Sequence, residues 1–201
     1  MEIDIAKLSG NRVYLEFLSP AHREAIRPLA KNEVIWEFNK MLPGDDSYDA
    51  AYDSYFDAAL DKNGLGGQQT FVIKQTDDNS IIGMTRFYEI SPKEKTVLIG
   101  YTWYIPAVWG KVHNKECKLL LLQYIFAEMK FNRVELRVAH QNLRSQRAVE
   151  KLGAIKEGVL RKHGYRNDGS IRHTVVYSII DDEWPHTKEK LLRLVAEGKN
   201  D

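Results

Sequence analysis

The 201-residue sequence predicts an α/β domain with helices flanking a mixed, mostly antiparallel sheet. Three observations carry that expectation. Residues 70–74, 81–90 and 96–105 read as strands, and the polar links QTDDNS and SPKEK between them are short enough for an antiparallel meander. A β-α-β-α run follows, with a strand at 97–105, a capped helix from Asn114 to about Met129, a strand at 133–139 and a short helix from Asn142 to Leu152. Its helical crossover makes the two strands parallel neighbours. Last, AIKEGVLRKHGY and HTVVYSII flank the hairpin marker Asn167-Asp168-Gly169.

Taken in order, Val13, Leu15 and Phe17 alternate with Tyr14, Glu16 and Leu18 in a first strand. Ser19-Pro20 supplies a cap residue and an N1 proline for a helix to about Ala30. The stretch EVIWEFNKMLPGDD is irregular, with Trp36, Phe38 and Met41 expected at the surface beside the turn Pro43-Gly44. Ser47 is expected to cap a helix on which Tyr48, Ala51, Tyr55, Ala58 and Ala59 recur at helical spacing, ending near Lys62 ahead of NGLGG. Within the meander, Gly83 and Gly100 mark bulges or points of close approach. Asn114 is expected to cap the crossover helix, and the loop WGKVHN before it points backbone N–H groups and the positive end of the helix dipole at one spot. That arrangement predicts an anion-binding crevice. Asn142 caps the next helix and Gly153 stops it. Trp184-Pro185 opens a final helix with Leu191, Leu192 and Val195 on one face.

Composition bounds the function. With 29 Lys+Arg against 28 Asp+Glu, the net charge of +1 gives no long-range field to draw the chain onto nucleic acid or an anionic membrane, so anion binding must be local. No apolar run approaches the ~20 residues of a membrane span, and MEIDIAKL lacks the pattern of a signal peptide; a cytoplasmic protein is expected. Cys117 is the only cysteine, which excludes an intramolecular disulfide and suits a reducing compartment. No GxxxxGK[ST] run exists, so a P-loop nucleotide site is excluded.

The strand IGYTWYIP, the loop and helix WGKVHNKECKLLLL, the run RVELRVAHQNLRSQRAVEKLGA and the tail from EGVLRKH to VVYSI and EWP together resemble the GCN5-related N-acetyltransferase (GNAT) superfamily. They are most similar to the branch that includes the ribosomal-protein N-terminal acetyltransferases. The resemblance spans nearly the whole chain. It implies one domain over residues 1–201, a GNAT fold whose middle parallel strands splay apart, acetyl-CoA as co-substrate with no metal, and a monomer or homodimer. The acceptor it implies is a primary amine, a protein N-terminal α-amine first. A small-molecule amine or a non-catalytic CoA-binding module are the alternatives.

The same resemblance assigns the site. Gly110, Lys111, Val112, His113, Asn114 and Lys115 fall on the pyrophosphate loop, where Val112 and His113 stand in place of a second glycine and Lys111, His113 and Lys115 would add local positive charge. As a local pattern alone, this is also a surface loop with an ordinary cap. His113 has no partner at metal-motif spacing, and no metal is expected. Trp103, Tyr104 and Ile105 match the strand end whose free backbone groups bond the pantetheine arm; each aromatic by itself is also good core packing. Asn142 corresponds to the residue that positions CoA, and Ser145 to the one beside its sulfur, able to protonate the leaving thiolate. Asn142 is equally an ordinary N-cap. Trp36, Phe38 and Tyr165 lie where the family's acceptor groove runs. A base for the amine is open among Glu89, Glu135, His140, His173 and water. Cys117, on the apolar side of its helix, reads as a buried, inert thiol.

Overall fold

The computed structural model describes residues 3–38, 41–166 and 168–198. A 3₁₀ turn at Ile5–Leu8 leads to β1 (Val13–Phe17), then α1 (Arg23–Ala30) and α2 (Tyr48–Leu60). The meander follows as β2 (Gln69–Gln75), β3 (Ile81–Ser91) and β4 (Thr96–Tyr104). Next come α3 (His113–Gln123), β5 (Arg133–Ala139), α4 (Leu143–Leu152), β6 (Ile155–Tyr165), β7 (Ile171–Ile180) and α5 (Trp184–Glu197). The strands form one sheet in the order β1-β2-β3-β4-β5-β7-β6, antiparallel throughout except for β4 beside β5. The mixed sheet and its single parallel pair match the sequence expectation.

Side-chain alternation places a core on each face of this sheet. On one, Phe71, Ile73, Ile99 and Val134 pack with Leu121, Leu122 and Ile125 of the α3 region and with Leu191 of α5. On the other, Val72, Met84 and Trp103 pack under Ile26 of α1 and Tyr52 and Phe56 of α2. Ile99 and Trp103, four apart on β4, lie in opposite cores because a bulge intervenes. Met84 pairs with Trp103 and Arg86 with Gly100, so Thr85 faces both Tyr101 and Thr102, and Tyr101 takes φ 50°. Gly83 permits the close approach across this pair, since a Cβ there would stand 2.1 Å from the Trp103 carbonyl oxygen.

Three local expectations are corrected by packing. Trp36 is buried rather than exposed: it sits in the core against Trp103, ring centroids 5.9 Å apart, and its Nε1–H donates to the Ala30 carbonyl at 2.7 Å. Asn114 does not cap α3, which starts one residue earlier at His113 after a buried Val112, so Asn114 lies within the first turn. The helical run reaches Met129 as expected, its last stretch Tyr124–Glu128 wound as a π-helix. Ser47 bonds Asp45 instead of a helix N–H, and Asp45 accepts the Ser47 backbone N–H at 2.9 Å. Of the hairpin marker, Asn167 lies outside the described residues; the turn closes with the Arg166 N–H donating to the Ser170 carbonyl at 2.9 Å, and Gly169 takes φ 78°.

Candidate active site

β4 and β5 pair only from Thr96 to Leu98 against Arg133 to Glu135, and beyond that the two strands part. A cleft of about 590 Å³ opens between them, with Ile99 to Tyr104 on one wall and Leu136 to Ala139 on the other. Parted strand ends expose unpaired backbone donors and acceptors, to which an extended amide chain can add itself.

The two helices that follow these strands start on either side of the cleft mouth, where Arg144 of α4 lies over Trp109 ahead of α3. On one side, Gly110 (φ 79°) has no atom within 4 Å of where a Cβ would lie, and Asn114 in the first turn of α3 also lines the opening. On the other, Asn142 caps α4 by accepting the Ser145 N–H on Oδ1 at 2.9 Å, and both residues line the cleft. The Ser145 hydroxyl has no hydrogen-bond partner among the described residues. Of the other anticipated residues, Trp103, Tyr104, Phe38 and Tyr165 are in the lining, with Tyr165 77% exposed at the rim. Ile105, Lys111, Val112, His113, Lys115 and Trp36 are not. The Ile105 N–H is taken by the Ile82 carbonyl at 2.9 Å.

His113 does not add positive charge to the loop. It is buried, and burial first, then the nearby Lys111 and Arg12 charges, push its pKa below the ordinary histidine value. Cys117 is fully buried and its thiol pKa is raised by that burial, as expected of an inert thiol. Of the base candidates, only Glu89 lines the cleft, ion-paired with Arg137 at 2.8 Å. Glu135 is held between Arg133 and Arg137, and His140 and His173, packed edge-on with ring centroids 6.3 Å apart, are not in the lining.

Several cleft residues escaped the sequence reading. Lys118 is buried in α3 and its Nζ donates at 2.9 Å to Thr102 Oγ1, which bonds Thr85 Oγ1 at 2.8 Å. Burial lowers this lysine to about 8. Arg144 lays its guanidinium 3.9 Å over the Trp109 ring, bridging the start of α4 and the loop before α3. Arg137, Arg172, Arg144 and Lys118 thus meet Glu89 in one cleft, a local cationic excess in a chain of net charge +1. Lys118 could have been flagged as a lysine within an apolar helical run, but the positions of Arg144 and Arg172 have no local signal. A hydrogen-bonding strand edge, a glycine-bearing helix start and clustered cations fit an extended amide chain ending in phosphates. Coenzyme A has that chemistry.

The acetyltransferase (GNAT) domain model matches residues 12–155. YjcK of Bacillus subtilis (strain 168), named a probable N-acetyltransferase, is 30% identical over 162 residues, 78% of this chain and 87% of that protein. YdaF of the same organism, provisionally named a ribosomal N-acetyltransferase, is 31% identical over 112 residues, 55% of this chain. That match, like the one to YoaA, spans 60% of the relative's length. A crystal structure provisionally named an acetyltransferase superposes with a TM-score of 0.84 at 32% identity, covering 96% of each chain. The spermidine N-acetyltransferase of Vibrio cholerae, solved with CoA and spermine, shares the fold, with a TM-score of 0.69 at 19% identity over 88% of this chain and 99% of that one. A family match over residues 12–155, on a sheet that parts where an amide chain can enter, leaves one conclusion: the chain belongs to the GNAT family of N-acetyltransferases.

Proposed function

We propose that the chain transfers the acetyl group of acetyl-CoA directly to a primary amine, the α-amine of a protein N-terminus. The observation that carries this reading is the parting of β4 from β5 after Leu98, with Gly110 on one side of the opening and Ser145 on the other. The name of YdaF and the sequence resemblance support the N-terminal acceptor. An α-amine has a pKa of about 8 and keeps a usable free-base fraction near neutrality.

In this reading the strand end at Trp103 and Tyr104, with Asn142, takes the pantetheine arm. Gly110, the N–H groups at the start of α3 and Arg144 take the phosphates. The thioester supplies an activated acetyl carbon. The neutral amine attacks it, a C–N bond forms as the C–S bond breaks, and the Ser145 hydroxyl gives the departing sulfur its proton. The amine's own proton leaves through Glu89 or water, and the Ser145 oxygen recovers a proton from the same source. Holding both reactants in one cleft supplies most of the acceleration. We read the chain as one acetyltransferase domain acting in a reducing, cytoplasmic setting.

The test is incubation with acetyl-CoA and paired peptides carrying free or blocked N-termini, read by mass spectrometry. Free N-termini gain an acetyl group and blocked ones do not. Modification of internal lysines alone, or of small-molecule amines alone, would move the acceptor to that class. Cofactor binding without transfer to any amine would leave a CoA-binding module.

A further inference from the structure

A second recess of about 490 Å³ lies between α2, the turn after it, β3 and the bulged end of β4. It joins the main cleft, since Met41, Leu65 and Tyr101 line both. At its wall sits Arg86, only 3% exposed. Its Nη1 donates at 2.8 Å to Gln68 Oε1, while its Nε, also buried, has no hydrogen-bond partner among the described residues. Gln68 is itself pinned, its amide donating to the Ala58 and Asp61 carbonyls, so its oxygen is held on Arg86. The Tyr101 ring lies 4.4 Å from the guanidinium carbon.

No carboxylate among the described residues pairs with this arginine. The less buried Arg23, Arg27, Arg133 and Arg137 each hold at least two. The groups that act electrostatically on Arg86 are Tyr55, Tyr101 and Tyr88; burial raises the pKa of Tyr55 and Tyr88, so neither offers a phenolate as counter-charge. Burial also pulls the Arg86 pKa down, yet a guanidinium stays charged at any working pH. A buried cation without an anion is costly, and in a recess that opens onto a reaction cleft the missing anion can arrive with the substrate.

We propose that the acceptor carries a side-chain carboxylate close to its amine and that Arg86 holds this group in this recess. The free Nε edge of a planar guanidinium matches the two oxygens of a carboxylate side by side. A monoanion suits the site better than a phosphate dianion, because one cation faces it and Asp61 stands in the same lining. A polyamine, cationic along its length, would meet repulsion at Arg86. The inference rests on the acetyl-transfer reading and narrows its acceptor to a free acidic amino acid or a peptide with an acidic residue beside its N-terminus.

The experiment compares acceptors differing by one carboxylate: free-N-terminus peptides with Asp or Asn at the second position, and free glutamate against glutamine. Each is measured as kcat/KM with the intact protein, Arg86→Lys and Arg86→Met. The acidic member is preferred roughly 10- to 100-fold, the range for hydrogen bonds to charged groups, and in Arg86→Met the ratio falls to near one. Which pair shows the larger ratio identifies the source of the carboxylate. Equal kcat/KM within both pairs for the unmodified protein would overturn the proposal while leaving acetyl transfer intact, and needs no variant to fold. A preference that survives in folded Arg86→Met would also overturn it. Transfer to no amine at all would overturn both readings.

Discussion

Ser145 and Lys118 make separable predictions. Ser145 sits in the first turn of α4 and lines the cleft, and its hydroxyl has no partner among the described residues. If it protonates the departing sulfur, Ser145→Ala lowers kcat by about 10²- to 10⁴-fold and leaves acetyl-CoA affinity nearly unchanged. As a mere helix residue the same change costs no more than about 0.5 kcal/mol of stability and spares turnover. Kinetics beside a melting curve decide between them. For Lys118, the folded pKa of about 8 lies below the ordinary 10.5. Between these values the unfolded chain holds more protons, so stability rises with pH across that window, and below it the cost of the buried charge is felt in full. Lys118→Met therefore stabilises at neutral pH, by up to an order of 3 kcal/mol, and the gain fades as pH climbs past 10. Melting curves at pH 7 and pH 10.5 check it; a gain that does not shrink with pH would assign it to packing instead.

At the scale of elements, α3 is held in place by Glu116. This buried carboxylate accepts the N–H groups of Asn11, Arg12 and Val13 at 2.9, 2.8 and 3.0 Å, tying the start of β1 to the helix that opens the cleft. Glu116→Ala takes the acceptor from three N–H groups, of which only that of Val13 is fully buried, so a loss of roughly 1 to 3 kcal/mol is expected in denaturant unfolding. A loss under about 1 kcal/mol would show that water replaces the carboxylate. This element also shows where a sequence reading stops. Helix α4 was legible from Asn142 to Gly153 because its N-cap bond and its left-handed Gly153 (φ 105°) are local events. The start of α3 was not. Asn114 is a good cap by type, but burial of Val112 and His113 and the ties from Glu116 to residues 11–13 set the helix one residue earlier.

For the molecule as a whole, acetyl-CoA binding across the β4–β5 cleft raises thermal stability, by about 2.7 kcal/mol at 100 times Kd. A melting curve unmoved by millimolar acetyl-CoA would remove the cofactor assignment. The sequence by itself determined the strand alternation, the single parallel crossover, the α4 cap and the family, because each is written in neighbouring residues or a contiguous motif. Only the tertiary structure decided that Trp36 is core, that His113 is neutral, and that Arg144 meets Trp109 across the cleft mouth. It alone brought Arg86 of β3, Gln68 ahead of β2 and Tyr101 of the bulge together, with no carboxylate among the described residues paired to the guanidinium. Burial and charge pairing are set by residues distant in the chain, and no local pattern records which of them will meet.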